Sequence, residues 1–188
     1  MAATTETKYG KLLFSGLRDE MKAIDYIASP AAYFRGAHQI PGAGINMGWQ
    51  VIVKPTFMEK APHTHDCDEY FAILGGQLPD LFGSFDAEVE LWMGPEHEKH
   101  IITEPTFVFI PKGFLHCPLN FKRVTKPLMF QAIHLGPRFH KIMDGKEYWF
   151  EGPDRSMDGP LLITGHWRGS DCQSRSVCAT RPSRTVAR

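Results

Sequence analysis

The sequence predicts an all-β fold, and two kinds of observation lead to this prediction. The stretch INMGWQVIV, residues 45–53, places an apolar side chain at every second position, which is the period of a β-strand. Further short apolar runs follow it, and glycine and proline separate them. Short strands between such turns are typical of a β-sandwich or a β-barrel.

The predicted strands follow one another through the middle of the chain. After residues 45–53 come EYFAILGG, AEVELWMG, KHIIT, TFVFIPKG and KPLMFQAIHLG. The first of these runs into a glycine turn, and the next alternates Val89 and Leu91 with glutamates. We therefore assign residues 45–136 to one β-domain.

The two ends of the chain differ from this pattern. Residues 8–35 mix apolar and charged side chains at roughly helical spacing, so we expect residues 1–44 to form an extension of short helix and loop. We expect residues 137–167 to pack back on the barrel, with a turn at Asp144–Gly145. Residues 168–188 contain five arginines, one acidic residue and few apolar side chains. That composition predicts a disordered basic tail rather than a segment that binds an anionic partner.

The composition favours a cytoplasmic globular protein. The chain has 188 residues, a formal net charge of zero and 43% hydrophobic residues, which suits one domain with extensions. No apolar run is long enough to cross a membrane, and the N-terminus lacks the apolar stretch of a secretory signal. The balanced charge argues against a nucleic-acid partner. For a protein of this kind we expect free thiols at all four cysteines: Cys67, Cys117, Cys172 and Cys178.

Side chains that bind metal ions cluster in APHTHDCDEYF, residues 61–71. On a strand, successive side chains alternate between faces, so His63 and His65 point the same way, and Glu69 has the same parity. Two imidazoles and a carboxylate on one face suit a first-row metal ion. The segment FIPKGFLHCPLN adds a Pro-Lys-Gly turn followed by His116, which can lie opposite the first strand.

Together these two segments resemble the two motifs of the cupin family. The first motif has the form Gly-x5-His-x-His-x3–4-Glu-x6-Gly, and the second has the form Gly-x5-Pro-x-Gly-x2-His-x3-Asn. Eight positions of the chain match at the family's spacing: His63, His65, Glu69, Gly76, Pro111, Gly113, His116 and Asn120. The leading glycine of each motif is absent, because Phe57 and Pro105 stand in those places. The resemblance covers residues 45–136.

The resemblance implies a double-stranded β-helix, a jelly-roll barrel with a metal ion inside, and a homodimer. It implies that His63, His65, Glu69 and His116 are the metal ligands, with one or two coordination positions left for water, dioxygen or a chelating substrate. Fe(II) is the expected metal, and Mn(II) also suits the ligand set. Zinc, nickel, cobalt and copper remain open from ligand type alone.

The expected function is that of a metal-dependent enzyme acting on a small organic molecule, most simply a dioxygenase whose substrate chelates the metal. A non-oxidative isomerase, lyase, cyclase or decarboxylase would use the same ligands, with the metal as a Lewis acid. A small-ligand-binding barrel without catalysis is the second alternative. The motifs identify neither the substrate nor an acid or base.

Three polar residues lie in strands that are otherwise apolar: Gln50, Gln131 and His134. A polar side chain inside a barrel needs a partner, so each is expected either to pair with a protein group or to face the ligand. Aromatic residues are expected to form the core and an apolar pocket: Trp49, Tyr70, Phe71, Phe107, Phe109, Phe114 and Phe130.

Cysteines and histidines outside the motif positions could also bind a metal ion, but we predict other roles for them. Cys67 shares the parity of His65 but is a spacer in the family pattern. Cys117 follows His116 and is expected to face away from it, as a core thiol. His97 and His100 are expected in a charged loop or strand entry rather than in a metal site.

Overall fold

The computed structural model describes residues 7–20 and 24–149, and among these it contains no α-helix. Two short 3-10 turns occur, at Gly10–Leu12 and Gly36–His38. The strands are β1 (Arg18–Asp19), β2 (Ala31–Arg35), β3 (Asn46–Ile52), β4 (Thr56–Glu59), β5 (Glu69–Gly75), β6 (Ala87–Met93), β7 (Glu98–Ile102), β8 (Thr106–Ile110), β9 (His116–Val124), β10 (Leu128–His134), β11 (His140–Met143) and β12 (Lys146–Trp149). The predicted all-β class is confirmed.

The strands form two main sheets in which neighbours are antiparallel. One sheet has six strands in the order β1-β2-β3-β10-β5-β8, and the other has four in the order β4-β9-β6-β7. Strands β11 and β12 form a separate hairpin. Non-consecutive neighbours such as β3 and β10 show that the chain crosses between sheets, as in the jelly roll that the cupin resemblance implies.

One hydrophobic core lies between the two sheets. The six-stranded sheet contributes Ile52, Ile73 and Leu128, and the four-stranded sheet contributes Val89 and Phe121, all completely buried. Along β3 the buried positions alternate strictly, and Ile52 stands opposite Leu128 of β10. The register therefore aligns the inward side chains of neighbouring strands in rows across the barrel.

The N-terminal extension differs from the prediction of a short helix. Within the described residues of 8–35, β1 and β2 extend the six-stranded sheet instead, with Ala31 and Tyr33 buried. A Cβ atom on Gly48 of β3 would lie 2.7 Å from the ring of Tyr33, so the absence of a side chain at Gly48 makes room for that ring. Packing against β3 outweighs the weak helical pattern of the segment.

The C-terminal part of the described chain folds onto the barrel. Thr64 and Ile142 exchange two backbone hydrogen bonds, of 3.0 and 2.9 Å, which place β11 beside the first histidine motif. The turn predicted at Asp144–Gly145 joins β11 to β12, and both residues have positive φ, as in a two-residue hairpin turn. The predictions for residues 150–167, the basic tail 168–188, Cys172 and Cys178 lie outside the described residues.

The described segments contain no helix long and apolar enough to span a bilayer.

Candidate metal centre

Backbone pairing brings the two histidine motifs together at one end of the barrel. His63 and His116 exchange two hydrogen bonds between their backbone amides and carbonyls, of 3.0 and 3.1 Å. The segment 63–65 is extended, so His63 and His65 both point into the barrel. The Pro111–Gly113 turn donates the Gly113 amide to the His65 carbonyl at 2.9 Å, which fixes the second motif against the first.

The four predicted ligand side chains lie together and are shielded from solvent. His63, His65, Glu69 and His116 are each at most 4% exposed. The possible ligand atoms of His65, Glu69 and His116 lie within 4.8 Å of one another. The rings of His63 and His116 have centroids 4.3 Å apart, so His63 belongs to the same cluster.

Hydrogen bonds to backbone carbonyls orient all three imidazoles. His63 Nδ1 donates to the Ala61 carbonyl at 3.0 Å, His65 Nδ1 donates to the His140 carbonyl at 2.5 Å, and His116 Nδ1 donates to the Phe114 carbonyl at 3.1 Å. A carbonyl oxygen only accepts, so the hydrogen of each neutral ring is on Nδ1 and the lone pair is on Nε2. Metal-binding histidines are commonly oriented in this way.

The Nε2 atoms of His65 and His116 therefore carry no hydrogen, and they face the Glu69 carboxylate, which has none either. Glu69 Oε2 lies 3.2 Å from His65 Nε2 and 3.0 Å from His116 Nε2, and none of these three buried atoms has a hydrogen-bond partner. Burial lowers the pKa of His63 and of His65, which favours the neutral rings. A cation between these atoms would satisfy all of them, so the residues present fit a divalent metal ion.

His134 occupies the end of β10 directly opposite Glu69 in the sheet. Its Nε2 atom lies 2.8 Å from Glu69 Oε1, the oxygen that faces away from His65 and His116. The ring packs edge-on against Phe139, with centroids 4.5 Å apart. His134, one of the three predicted pocket candidates, therefore lies inside the site and contacts a predicted ligand.

The other two pocket candidates have opposite outcomes. Gln50 is 1% exposed and lines the cavity, and its Oε1 atom has no hydrogen-bond partner. Gln131 does not line the cavity, because β10 turns Phe130, Ala132 and His134 inward and Gln131 outward. Its Nε2 atom lies 4.0 Å from the Met129 sulfur, so the other alternative, a protein partner, applies. The alternation of a strand permits only one of these two sets to reach the cavity.

Cys117 is a buried core thiol, as predicted, but it does not face away from His116. Cys117 lines the cavity, and its sulfur lies within 4.8 Å of ligand atoms of His63 and His116. Its φ of 70° interrupts the strand alternation, so two consecutive residues of β9 face inward. Burial raises the pKa of its thiol well above the usual range, which favours the protonated form in the absence of a metal.

The remaining candidates lie away from the cluster. Cys67 is half-buried, and burial together with the neighbouring carboxylates of Asp66 and Glu69 raises its thiol pKa to about 11. His97 lies in the turn before β7, and the side chain of His100 is 49% exposed on that strand. Neither of these histidines belongs to a metal-capable cluster within the described residues.

The cluster forms one wall of a cavity of about 50 Å³ that is partly open to solvent. Apolar side chains form most of the remaining wall: Met58, Phe71, Leu119, Phe130, Ala132 and Phe139. The aromatic prediction is thus right for Phe71 and Phe130, whereas Phe107 and Phe109 are 62% and 51% exposed on the outer surface. The site is an apolar pocket with a polar, metal-capable end.

Sequence reasoning missed two charged residues in the cavity wall, Glu59 and Lys141. Glu59 ends β4, and Lys141 lies on β11, outside the region that the motif resemblance covers. Both lie beside apolar residues, in TFMEKAP and FHKIM, but a single charge in a short segment gives no specific signal.

No protein-family model and no curated protein sequence matches the chain. Solved structures do match it at low identity. A structure of oxalate oxidase in complex with the substrate analogue glycolate has a TM-score of 0.47 and 12% identity, and the match covers 71% of this chain. The match covers 64% of the oxalate oxidase chain, slightly less than two thirds of its length.

Two further solved structures illustrate the range of the matches. Peruvianin-I, a protein from Thevetia peruviana latex described as a cysteine peptidase, has a TM-score of 0.49 and 12% identity over 77% of this chain and 83% of its own. Bacillus subtilis oxalate decarboxylase, described with Mn(II) centres, has a TM-score of 0.44 and 8% identity over 67% of this chain and 30% of its own. The strand pairing and the shared core define the fold of the present chain independently of these matches.

Proposed function

We propose that the chain is a metal-dependent enzyme of the cupin type that acts on a small organic molecule and uses dioxygen. In this proposal His63, His65, Glu69 and His116 hold a divalent ion, with Fe(II) expected and Mn(II) also suited to the ligands. The substrate enters the cavity beside them and chelates the metal. A bound ion of this kind supplies Lewis acidity and, for iron or manganese, redox chemistry with dioxygen.

The proposal depends on one observation: imidazole nitrogens and carboxylate oxygens that carry lone pairs face one another inside the cavity. Carbonyl hydrogen bonds fix the Nδ1 hydrogens, and the buried Nε2 atoms of His65 and His116 face Glu69 without one. A purely structural cluster would leave these polar atoms unsatisfied in the protein interior, which is costly. A metal ion removes that cost and gives the cluster a chemical role.

The residues around the cluster have roles that suit a substrate pocket. Phe71, Leu119 and Phe130 give one side of the cavity an apolar wall, against which the carbon skeleton of an organic molecule can pack. Gln50 Oε1 can accept a hydrogen bond from such a molecule. His134 Nε2 lies 2.8 Å from the second oxygen of Glu69 and, like the Nε2 atoms of His65 and His116, has no hydrogen-bond partner.

The proposal is tested by turnover in the presence and absence of dioxygen. Metal-free protein is reconstituted anaerobically with Fe(II) and offered small enolic, phenolic and hydroxy-acid compounds, while an oxygen electrode and chromatography follow both reactants. We expect dioxygen uptake coupled to substrate loss in the wild type and no uptake in His116→Ala. The exposed His100→Ala serves as the matched control and should retain the wild-type rate.

Each other outcome of this experiment identifies an alternative. Substrate loss without dioxygen uptake, unchanged under anaerobic conditions, would replace the dioxygenase with a non-oxidative isomerase, lyase, cyclase or decarboxylase. Retained metal with no turnover of any compound would contradict the enzyme proposal and favour a ligand-binding barrel.

A further inference from the structure

A buried ion pair forms part of the cavity wall. Lys141 is 2% exposed, and its Nζ atom lies 2.5 Å from Glu59 Oε2. The Glu59 side chain is 13% exposed. Both residues line the same cavity as His63 and His65. The positive charge of Lys141 also helps to lower the pKa of His63, so the ammonium group is electrostatically close to the metal-capable cluster.

An ion pair in this position is not explained by stability. Removing two charges from water costs several kcal/mol per ion, and apolar residues of similar size are often at least as stabilising. The surrounding walls are apolar, with Met58 beside Glu59 in sequence and the Phe139 ring 6.0 Å from Lys141 Nζ. A charged pair that lines a cavity, rather than the packed core, is in a position to bind a ligand.

The charges of the cavity indicate the sign of that ligand. Among the residues that line the cavity, Glu59 and Glu69 contribute two negative charges and Lys141 contributes one positive charge. The two carboxylates and the ammonium group together sum to −1, since −2 and +1 make −1. A divalent cation at the cluster changes the total to +1. One negative charge on the ligand would make the loaded cavity neutral, the favoured condition for a site of low dielectric constant.

We propose that Lys141 is a substrate-recognition residue that selects an organic monoanion, specifically a small carboxylate that accepts a hydrogen bond from Lys141 Nζ. An ammonium group can donate three hydrogen bonds, so it can hold Glu59 and a ligand carboxylate together. Glu59 holds the ammonium group within the cavity wall. The inference rests on the proposed metal-dependent function and narrows its substrate class to carboxylates.

The test measures binding rather than turnover. Protein loaded with Mn²⁺ is titrated by calorimetry with three carboxylates and their amides: lactate and lactamide, 3-hydroxybutyrate and 3-hydroxybutyramide, and salicylate and salicylamide. Each amide keeps the shape of its acid and removes the charge. We expect the wild type to bind at least one carboxylate about tenfold or more tightly than its amide, the effect of a charge-assisted hydrogen bond in a buried site.

The decisive variant is the double substitution Lys141→Met/Glu59→Gln, which removes both charges and leaves no unpaired ion in the cavity. It keeps the net charge of the loaded cavity at +1, so any loss of selectivity reports the direct contact with Lys141. We expect the ratio of amide to carboxylate dissociation constants to fall about tenfold, while Mn²⁺ affinity and amide affinity stay within about twofold. The matched control, Lys122→Met/Glu88→Gln, removes an exposed pair whose Nζ–Oε1 distance is 2.7 Å and should leave the ratio unchanged.

The outcomes separate this inference from the proposed function. Mn²⁺ bound by the wild type without a preference for any carboxylate over its amide would overturn the role of Lys141 and leave the metal centre intact. An unchanged ratio in Lys141→Met/Glu59→Gln would do the same. Failure of the wild type to bind Mn²⁺ at all would overturn both proposals.

Discussion

At the scale of single residues, the backbone conformation of Cys117 determines that its side chain lines the cavity. Its φ of 70° lies in the left-handed region, which residues other than glycine rarely adopt. In ordinary strand geometry, the residue after His116 would point away from the cavity. The unusual conformation instead places the Cys117 sulfur beside His63 and His116. Such strain persists where the surrounding structure enforces it, and it is common at functional sites.

This conformation predicts how substitutions at Cys117 affect stability. Cys117→Ala should cost about 1 kcal/mol, because it removes a buried sulfur and leaves a small cavity. Valine is larger than cysteine and branched at Cβ, so Cys117→Val should cost about 1–2 kcal/mol more than Cys117→Ala, because the branch strains a positive φ and the buried site must take up the extra volume. Urea unfolding of metal-free protein measures both values. A valine variant as stable as the alanine variant would show that the left-handed conformation is not retained in solution.

At the scale of elements, β5 connects the metal centre to a tightly packed turn at its far end. Glu69 begins the strand, and Gly75 ends it. The Gly75 amide donates to the Leu81 carbonyl at 2.8 Å, so the following loop returns directly onto the strand. A Cβ atom at position 75 would lie 2.7 Å from that carbonyl oxygen and 2.8 Å from the Phe85 nitrogen, both of which belong to the backbone.

Gly75→Ala should therefore destabilise the protein by about 2 kcal/mol or more, because backbone atoms cannot move aside as a flexible side chain can. Gly44→Ala is the matched control, since a Cβ atom there would meet no atom within 4 Å, and its effect should stay within about 0.5 kcal/mol. Thermal and urea unfolding compare the two variants. Equal stabilities would contradict the packing of the loop against β5.

Alternation in the sequence predicted the main strands, but it did not identify the face that is buried. Met47, Trp49 and Val51 form the more apolar face of β3, yet the fully buried side chains are those of the other parity, Gln50 among them. The pairing of β3 with β10 sets this choice, and it depends on residues far apart in sequence. The same pairing determines that Gln131 faces away from the cavity, which the sequence left open.

The cluster of three histidines and Glu69 was predictable from the sequence because motif spacing encodes it, whereas the residues around it were not. His63, His65, Glu69 and His116 meet where the sequence indicated that they could. Lys141 reaches the cavity only because β11 pairs with Thr64, a contact between segments about 80 residues apart that no local pattern encodes. Cys117 faces inward because of its positive φ, and this backbone angle cannot be predicted from the presence of a cysteine at the position.

At the scale of the whole molecule, the six-stranded sheet ends in an exposed edge. Strand β8 is the last in the sheet, and Phe107 and Phe109 on it are more than half exposed. Both rings pack against Tyr70, with centroids 5.7 and 5.1 Å away. They form an aromatic surface next to the outer edge of β8, which pairs with no further strand within residues 7–20 and 24–149. Exposed edges of this kind promote pairing with another chain. We propose that two copies of the chain associate through this surface, in line with the homodimer that the cupin resemblance implies.

The dimer is tested by sedimentation equilibrium at several protein concentrations. The wild type should show twice the chain mass, and Phe107→Glu/Phe109→Glu should shift the equilibrium to the monomer, because it places two negative charges in the apolar contact. Phe82→Glu, which changes a 71% exposed residue in the loop after β5, should remain dimeric. A monomeric wild type, or a double variant that stays dimeric, would contradict the proposed surface.

The central claim of the account is that the buried imidazoles and Glu69 hold a divalent metal ion. Elemental mass spectrometry of protein purified without a histidine tag or chelators tests it most directly, with His63→Ala, His116→Ala and His100→Ala prepared in parallel. The account predicts about one equivalent of iron or manganese in the wild type and in His100→Ala, and a loss of most of that metal in the other two variants, because each loses a ligand. A wild type that binds no divalent metal even after reconstitution would contradict the account, as would equal metal contents in all four proteins.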